Sequence, residues 1–100
     1  LHIKTLCKMT EQQLQTKIIK HLDNNGFYTI KTIKLNKNGL PDIFAFKDGK
    51  TIMIEVKAPG KKPNELQKYR IEEVKNYGVI SFWVDNFESF ICKYENCLLT

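Results

Sequence analysis

The chain has 100 residues, which is enough for one domain with a single core and too few for two of ordinary size. Apolar residues make up 42% and charged residues 27%, which excludes a disordered chain, and no apolar run approaches the roughly 18 residues of a membrane span. The net charge of +5 attracts polyanions, of which nucleic acid is the commonest, although charge alone is a weak guide.

Residues 1–9 carry too short an apolar stretch for a signal peptide and do not begin with Met. They read as a flexible or non-native leader, with Met9 as an alternative start. Thr10 to Asn24 is predicted to be a helix. Thr10 and Gln13 form a capping box, and Leu14, Ile18, Ile19 and Leu22 recur on one face. Asn25 and Gly26 stop it. Phe27 to Leu35, rich in aromatic and β-branched residues, is predicted to be a strand. Asn36 to Gly39 is a polar loop. Pro41 to Phe46 and Thr51 to Lys57 are two further strands joined at Asp48-Gly49, a strong hairpin signal. The run Ile52, Met53, Ile54 and Val56 implies burial on both faces and a central place in the sheet.

After a Pro/Gly/Lys loop, Asn64 caps a helix from Glu65 to about Tyr77, with Leu66, Tyr69, Ile71 and Val74 expected to face inward. Val79 to Val84 is an apolar strand whose Phe82 and Trp83 belong to the core. Phe87, Phe90 and Ile91 favour a last helix over a strand. The order is α-β-β-β-α-β-α. A hairpin followed by a helical crossover implies an α/β fold, with a mixed sheet and helices on its faces.

The chemistry concentrates between Gly39 and Lys57. Asp42 opens one arm of the hairpin and Glu55 lies near the end of the other, with the turn about midway between them. Pairing across that turn sets Asp42 beside Glu55 or one step diagonal to it. Glu55 and Lys57 are two apart and share a face, while Val56 points into the core. Two carboxylates this close repel, and burial makes both harder to ionise, unless a divalent cation joins them. Oxygen ligands of this kind suit Mg²⁺ or Mn²⁺. An ammonium beside such a pair suits phosphodiester hydrolysis. Taken alone, Glu-x-Lys is a common solvated pattern, and Asp42 could be a turn residue after Pro41; the combination is what carries the reading.

At these residues the chain resembles the PD-(D/E)xK nuclease superfamily, and more closely its virus-type replication-repair nuclease (VRR-NUC) branch. The resemblance rests on Gly39-Leu40-Pro41-Asp42-Ile43, Ile54-Glu55-Val56-Lys57-Ala58-Pro59-Gly60-Lys61, Gln67 and Gly78, and spans about Thr10 to Val84. It implies a restriction-endonuclease-like fold. Asp42 and Glu55 match metal-binding carboxylates, the Val56 carbonyl a backbone metal ligand and Lys57 the catalytic lysine. Gln67 matches a glutamine lining the active site, and Glu11 a carboxylate given by the leading helix. Glu11 reads equally well as a first-turn acid complementing the helix dipole.

The resemblance further implies a homodimer that cuts structured DNA, including four-way (Holliday) junctions. Exposed aromatic residues in the last quarter are candidates for the dimer interface. Lys61 and Lys62 past the third strand, and Lys31, Lys34 and Lys37 before Asp42, would meet phosphates without reading sequence. Two other readings remain: a non-catalytic DNA-binding or assembly module, and a restriction-like nuclease on linear DNA. The short chain leaves little room for a base-reading element. Cys7, Cys92 and Cys97 match no zinc pattern and read as reduced thiols. That points to an intracellular setting: cytoplasm, a phage-infected cell, or the nucleus for a eukaryotic virus. His2 and His21 have no partner at ligand or triad spacing.

Overall fold

A computed structural model describes residues 9–98. The elements are α1 (Glu11–Asn24), β1 (Tyr28–Lys31), β2 (Ile43–Lys47), β3 (Lys50–Val56), α2 (Glu65–Lys75), β4 (Ile80–Val84) and α3 (Phe87–Leu98). Their order is the predicted one. The suggested leader, apart from Met9, and Cys7 lie outside the described residues. Among those residues no helix is long and apolar enough to cross a membrane.

Local signals set the element ends. At α1 the Gln13 amide donates to Thr10 Oγ1 while the Thr10 amide donates to Gln13 Oε1, so two otherwise orphaned N–H groups are satisfied. Asn64 and Gln67 make the same reciprocal pair at α2. At α3 Asn86 Oδ1 accepts from the Ser89 amide. The β2–β3 turn holds both Asp48 and Gly49 at positive φ, 51° and 79°, which matches the twist of the flanking strands.

The four strands lie in the order β1-β2-β3-β4. β1, β2 and β3 pair antiparallel, and β4 joins β3 in parallel after the α2 crossover. β3 is therefore central, as its apolar run requires. Leu14, Ile18 and Leu22 of α1 and Phe90 and Tyr94 of α3 pack against Ile43, Ala45, Ile52, Ile54, Val56 and Val84 to form the core. α2 touches only β3 and β4 and stands apart from α1 and α3, so it covers half of the opposite sheet face. Phe82 packs at the edge of the core, whereas Trp83, also expected there, is only half-buried and lies on the opposite face beside Glu55.

Three expectations change. β1 ends at Lys31 rather than Leu35: the Thr32 amide still bonds the Asp42 carbonyl in register, but the partner strand goes no further, since the next residue on it, Pro41, has no N–H to give. On α2 only Ile71 and Val74 are buried, while Leu66 and Tyr69 stay largely exposed, because a helix on half a sheet face buries a single narrow stripe. The exposed apolar side chains gather less in the last quarter, where Tyr77 is one, than around β1, at Tyr28, Ile30, Ile33, Leu35 and Phe46.

Gly39 ties the loop before Asp42 to α2. Its φ is +83°, and a Cβ there would lie 2.7 Å from Leu66 Cγ. Gly49 has a similar φ but open space around it. Gly39→Ala should therefore combine backbone strain with a clash, at about 1–3 kcal/mol for the backbone alone. Urea denaturation midpoints should show Gly39→Ala to be clearly more destabilising than Gly49→Ala.

Candidate active site

The hairpin places the two carboxylates as its sequence implies. Ile43 faces Ile54 at the end of the ladder, and Asp42, one residue before, lies close enough to Glu55 for its charge to act on that carboxyl. The Asp42 amide donates to the Ile54 carbonyl at 3.0 Å, and Asp42 Oδ2 accepts from the Val56 amide at 2.8 Å. One main-chain and one side-chain bond thus fix Asp42 to the partner strand. Glu55 lies on the α2 side of the sheet, opposite in sense to Ile54 and Val56, with Trp83 beside it on β4. Its side chain is essentially sealed, with the residue 1% exposed.

Glu55 Oε2 lies 3.5 Å from Lys57 Nζ, and Glu55 Oε1 is buried with no hydrogen-bond partner. Burial pushes the Glu55 carboxyl up to about 8, the Asp42 charge adds to the rise, and Lys57 opposes it. Glu55 is therefore biased toward its protonated form beside Asp42. Three groups predicted from the sequence converge here, and the orphaned oxygen marks where a cation fits. Asp42 and Glu55 could hold it together with the Val56 main-chain carbonyl, water and a phosphate oxygen.

The loop entering Asp42 is fastened at both ends by residues that sequence reasoning missed. The Thr32 amide donates to the Asp42 carbonyl at 2.8 Å, and its hydroxyl contacts the Pro41 and Asp42 carbonyls at 3.1 and 3.2 Å. Arg70 on α2 donates through Nε to the Asn38 carbonyl at 2.9 Å and through Nη1 to Glu73 at 2.8 Å. Arg70's hydrogen bond holds Glu73 below the usual carboxylate range. One signal was available: Arg70 is the only arginine in the chain. A rigid fork that serves two acceptors at once is the task arginine does and lysine does not. For Thr32 nothing in the sequence stands out from its neighbours.

The other named residues are more dispersed. Among the described residues no third Asp, Glu, His or Cys groups with Asp42 and Glu55. Glu11 sits in the first turn of α1, half-buried, where its charge complements the helix dipole. Gln67 is half-buried at the start of α2, and its side-chain oxygen is engaged by the Asn64 amide. Lys34, Lys37, Lys61 and Lys62 are all exposed. A depression of about 220 Å³ beside Asp42 is lined in part by Lys34 and Lys37.

Solved structures share this architecture. One described as "VRR_NUC domain" superposes with a TM-score of 0.76 at 23% identity, covering 87% of this chain and 97% of that one. Another, "VRR_NUC domain protein", gives 0.74 at 20% identity over 89% of this chain and 88% of that one. These likenesses establish the restriction-endonuclease-like fold that the sequence resemblance implied. Among curated protein sequences none matches the chain. Residues 8–83, which contain every sheet partner of Asp42 and Glu55, match the family described as "Archaeal holliday junction resolvase (hjc)". The chain belongs to the archaeal Holliday junction resolvase (Hjc) family of nucleases.

Proposed function

We propose that the chain is a Mg²⁺- or Mn²⁺-dependent endonuclease that cuts branched DNA, four-way junctions foremost, as a homodimer. The observation that carries this reading is the buried, partnerless Glu55 Oε1 beside Asp42, with Lys57 alongside. A binding module has no use for two carboxylates where phosphates must approach. A bound divalent cation supplies Lewis-acid polarisation of the phosphate and a more acidic water. Asp42, fixed through Oδ2 by the Val56 amide, and Glu55 hold that cation, with the Val56 carbonyl as a backbone ligand. Lys57 orients or deprotonates the attacking water, or neutralises charge growing on the phosphate. The resemblance assigns Gln67 and Glu11 to the same site; of the two, Gln67 is already engaged in capping α2, and Glu11 in the first turn of α1 is the least connected member of the set.

Family membership and charge support DNA as the substrate. Exposed Lys31, Lys34 and Lys37 precede Asp42, and Lys61 and Lys62 follow Lys57, so basic groups flank the carboxylates in sequence on both sides. Such contacts grip phosphates without reading bases. A symmetric cut across a junction needs two centres, and one chain offers one. The sheet face that α2 leaves bare carries Tyr28 opposite Phe46, with Ile30 next to them, and all three are exposed. A second copy of this chain is the occupant that the two-centre requirement favours for that face.

Three outcomes follow. EDTA should abolish cleavage of a four-way junction, and Lys57→Ala should slow it about 10²–10⁴-fold while junction binding persists. Cleavage by Lys57→Ala at the parent rate would remove this centre from the mechanism, and equal cutting of linear duplex would point to a restriction-like enzyme. Second, the folded metal-free protein holds the Glu55 proton up to about pH 8, whereas an ordinary glutamate releases it near 4.5. The folded state binds the extra proton between those limits, so stability falls as pH rises through that window. Thermal melts should show this loss, on the order of a few kcal/mol at about 1.4 kcal/mol per pKa unit. Glu55→Gln should flatten the slope, and saturating Mg²⁺ at pH 8 should restore the parent's stability. Third, Tyr28→Asp combined with Phe46→Asp should convert a dimer to a monomer in sedimentation velocity without unfolding it.

A further inference from the structure

Ile33 is 96% exposed, the barest of the large apolar side chains among the described residues. A single exposed aliphatic residue ordinarily calls for no explanation. Three observations set this one apart. It is not on a loose tip: Thr32, just before it, is bonded through its amide and hydroxyl to the Asp42 and Pro41 carbonyls. The far end of the same loop is held by Arg70 on the Asn38 carbonyl and by the fit of Gly39 against Leu66. Its surroundings are basic, since Lys31, Lys34 and Lys37 are exposed and no acidic residue occurs from 31 to 41. Finally, Ile33 and Asp42 line the same depression.

Lysines arranged like this engage phosphates, and an aliphatic side chain among them has no favourable partner on the backbone. Its partner is the face or edge of a base. In an intact duplex every base step is stacked, and an apolar wedge must first open one. At a branch point a step is already interrupted, so the same side chain is buried there at far less cost. We propose that Ile33 is a specificity-determining wedge, which enters the opened base step of branched DNA and sets the cleavage centre at Asp42 beside the branch. This rests on the reading of the chain as a nuclease of branched DNA. Ile33 makes no contribution to chemistry itself; it selects the DNA shape that reaches the centre.

The test uses the full chain with Lys57→Ala as the non-cutting parent, a four-way junction carrying 2-aminopurine at the branch step, and a linear duplex of the same length. Binding of the parent should raise 2-aminopurine fluorescence at the branch and not in the linear duplex. Adding Ile33→Ala should abolish the rise and lower the ratio of linear to junction Kd about tenfold, the scale of burying one aliphatic side chain. Ile33→Leu should keep both. Ile33→Lys should tighten binding to both DNAs while losing the fluorescence rise, which separates wedging from charge. If the parent prefers the junction and Ile33→Ala keeps that preference and the fluorescence, the wedge is wrong while the junction reading stands. A parent with no junction preference removes both. If Ile33→Ala instead changes the sedimentation coefficient from dimer to monomer, the side chain serves self-association and the wedge is also wrong.

Discussion

Asp42 and Glu55 lie side by side at the end of a hairpin, close enough for the Asp42 charge to raise the Glu55 carboxyl. Each is tied to the sheet, Asp42 by the Val56 amide and Glu55 by its place in the central strand. Repulsion between two such groups would ordinarily spread a strand end or draw in water. Here the surrounding fold resists both. β4 lies parallel along β3, α2 lies on the Glu55 side, and α1 and α3 close the other face. The sheet thus holds the Glu55 carboxyl well above the usual carboxylate range beside Asp42, and the apolar packing supplies the stiffness that enforces it.

Much of this arrangement is legible in the chain. Asp48-Gly49 fixes the turn, the turn fixes the register, and the register brings Asp42 near Glu55; each step is local and follows from residue type. Both capping boxes are also local, although Asn64-x-x-Gln67 draws the Gln67 side-chain oxygen into helix capping, a use that competes with a role facing the site. The parts that were not legible depend on contacts distant in sequence. Thr32 meets Pro41 and Asp42, and Arg70 meets Asn38, so neither leaves a periodic trace. The length of β1 was overestimated for the same reason: strand-forming residues continue past Lys31, but the partner strand does not. Leu66 and Tyr69 obey helical spacing on α2, yet α2 has only half a sheet to cover.

The loop between β1 and β2 shows how function and fold share residues. Arg70, the sole arginine, joins α2 to a carbonyl four residues before Asp42 while also neutralising Glu73. Leu66, largely exposed on α2, fills the space that Gly39 leaves open. A segment without secondary structure is thereby fastened near both ends, to the strand that carries Asp42 and to α2.

The main-chain amide of Lys57 donates to the carbonyl of Val84, a residue at the far end of β4. This bond has a consequence for the order in which the molecule becomes competent. Asp42, Glu55 and Lys57 are all present once the first hairpin has been made, but the end of β3 gains its last anchor only after α2 and β4 have been added. A chain still emerging from the ribosome would carry the full set of proposed cutting residues without a fixed lysine. The strand end that carries Lys57 is therefore anchored only when the sheet is complete.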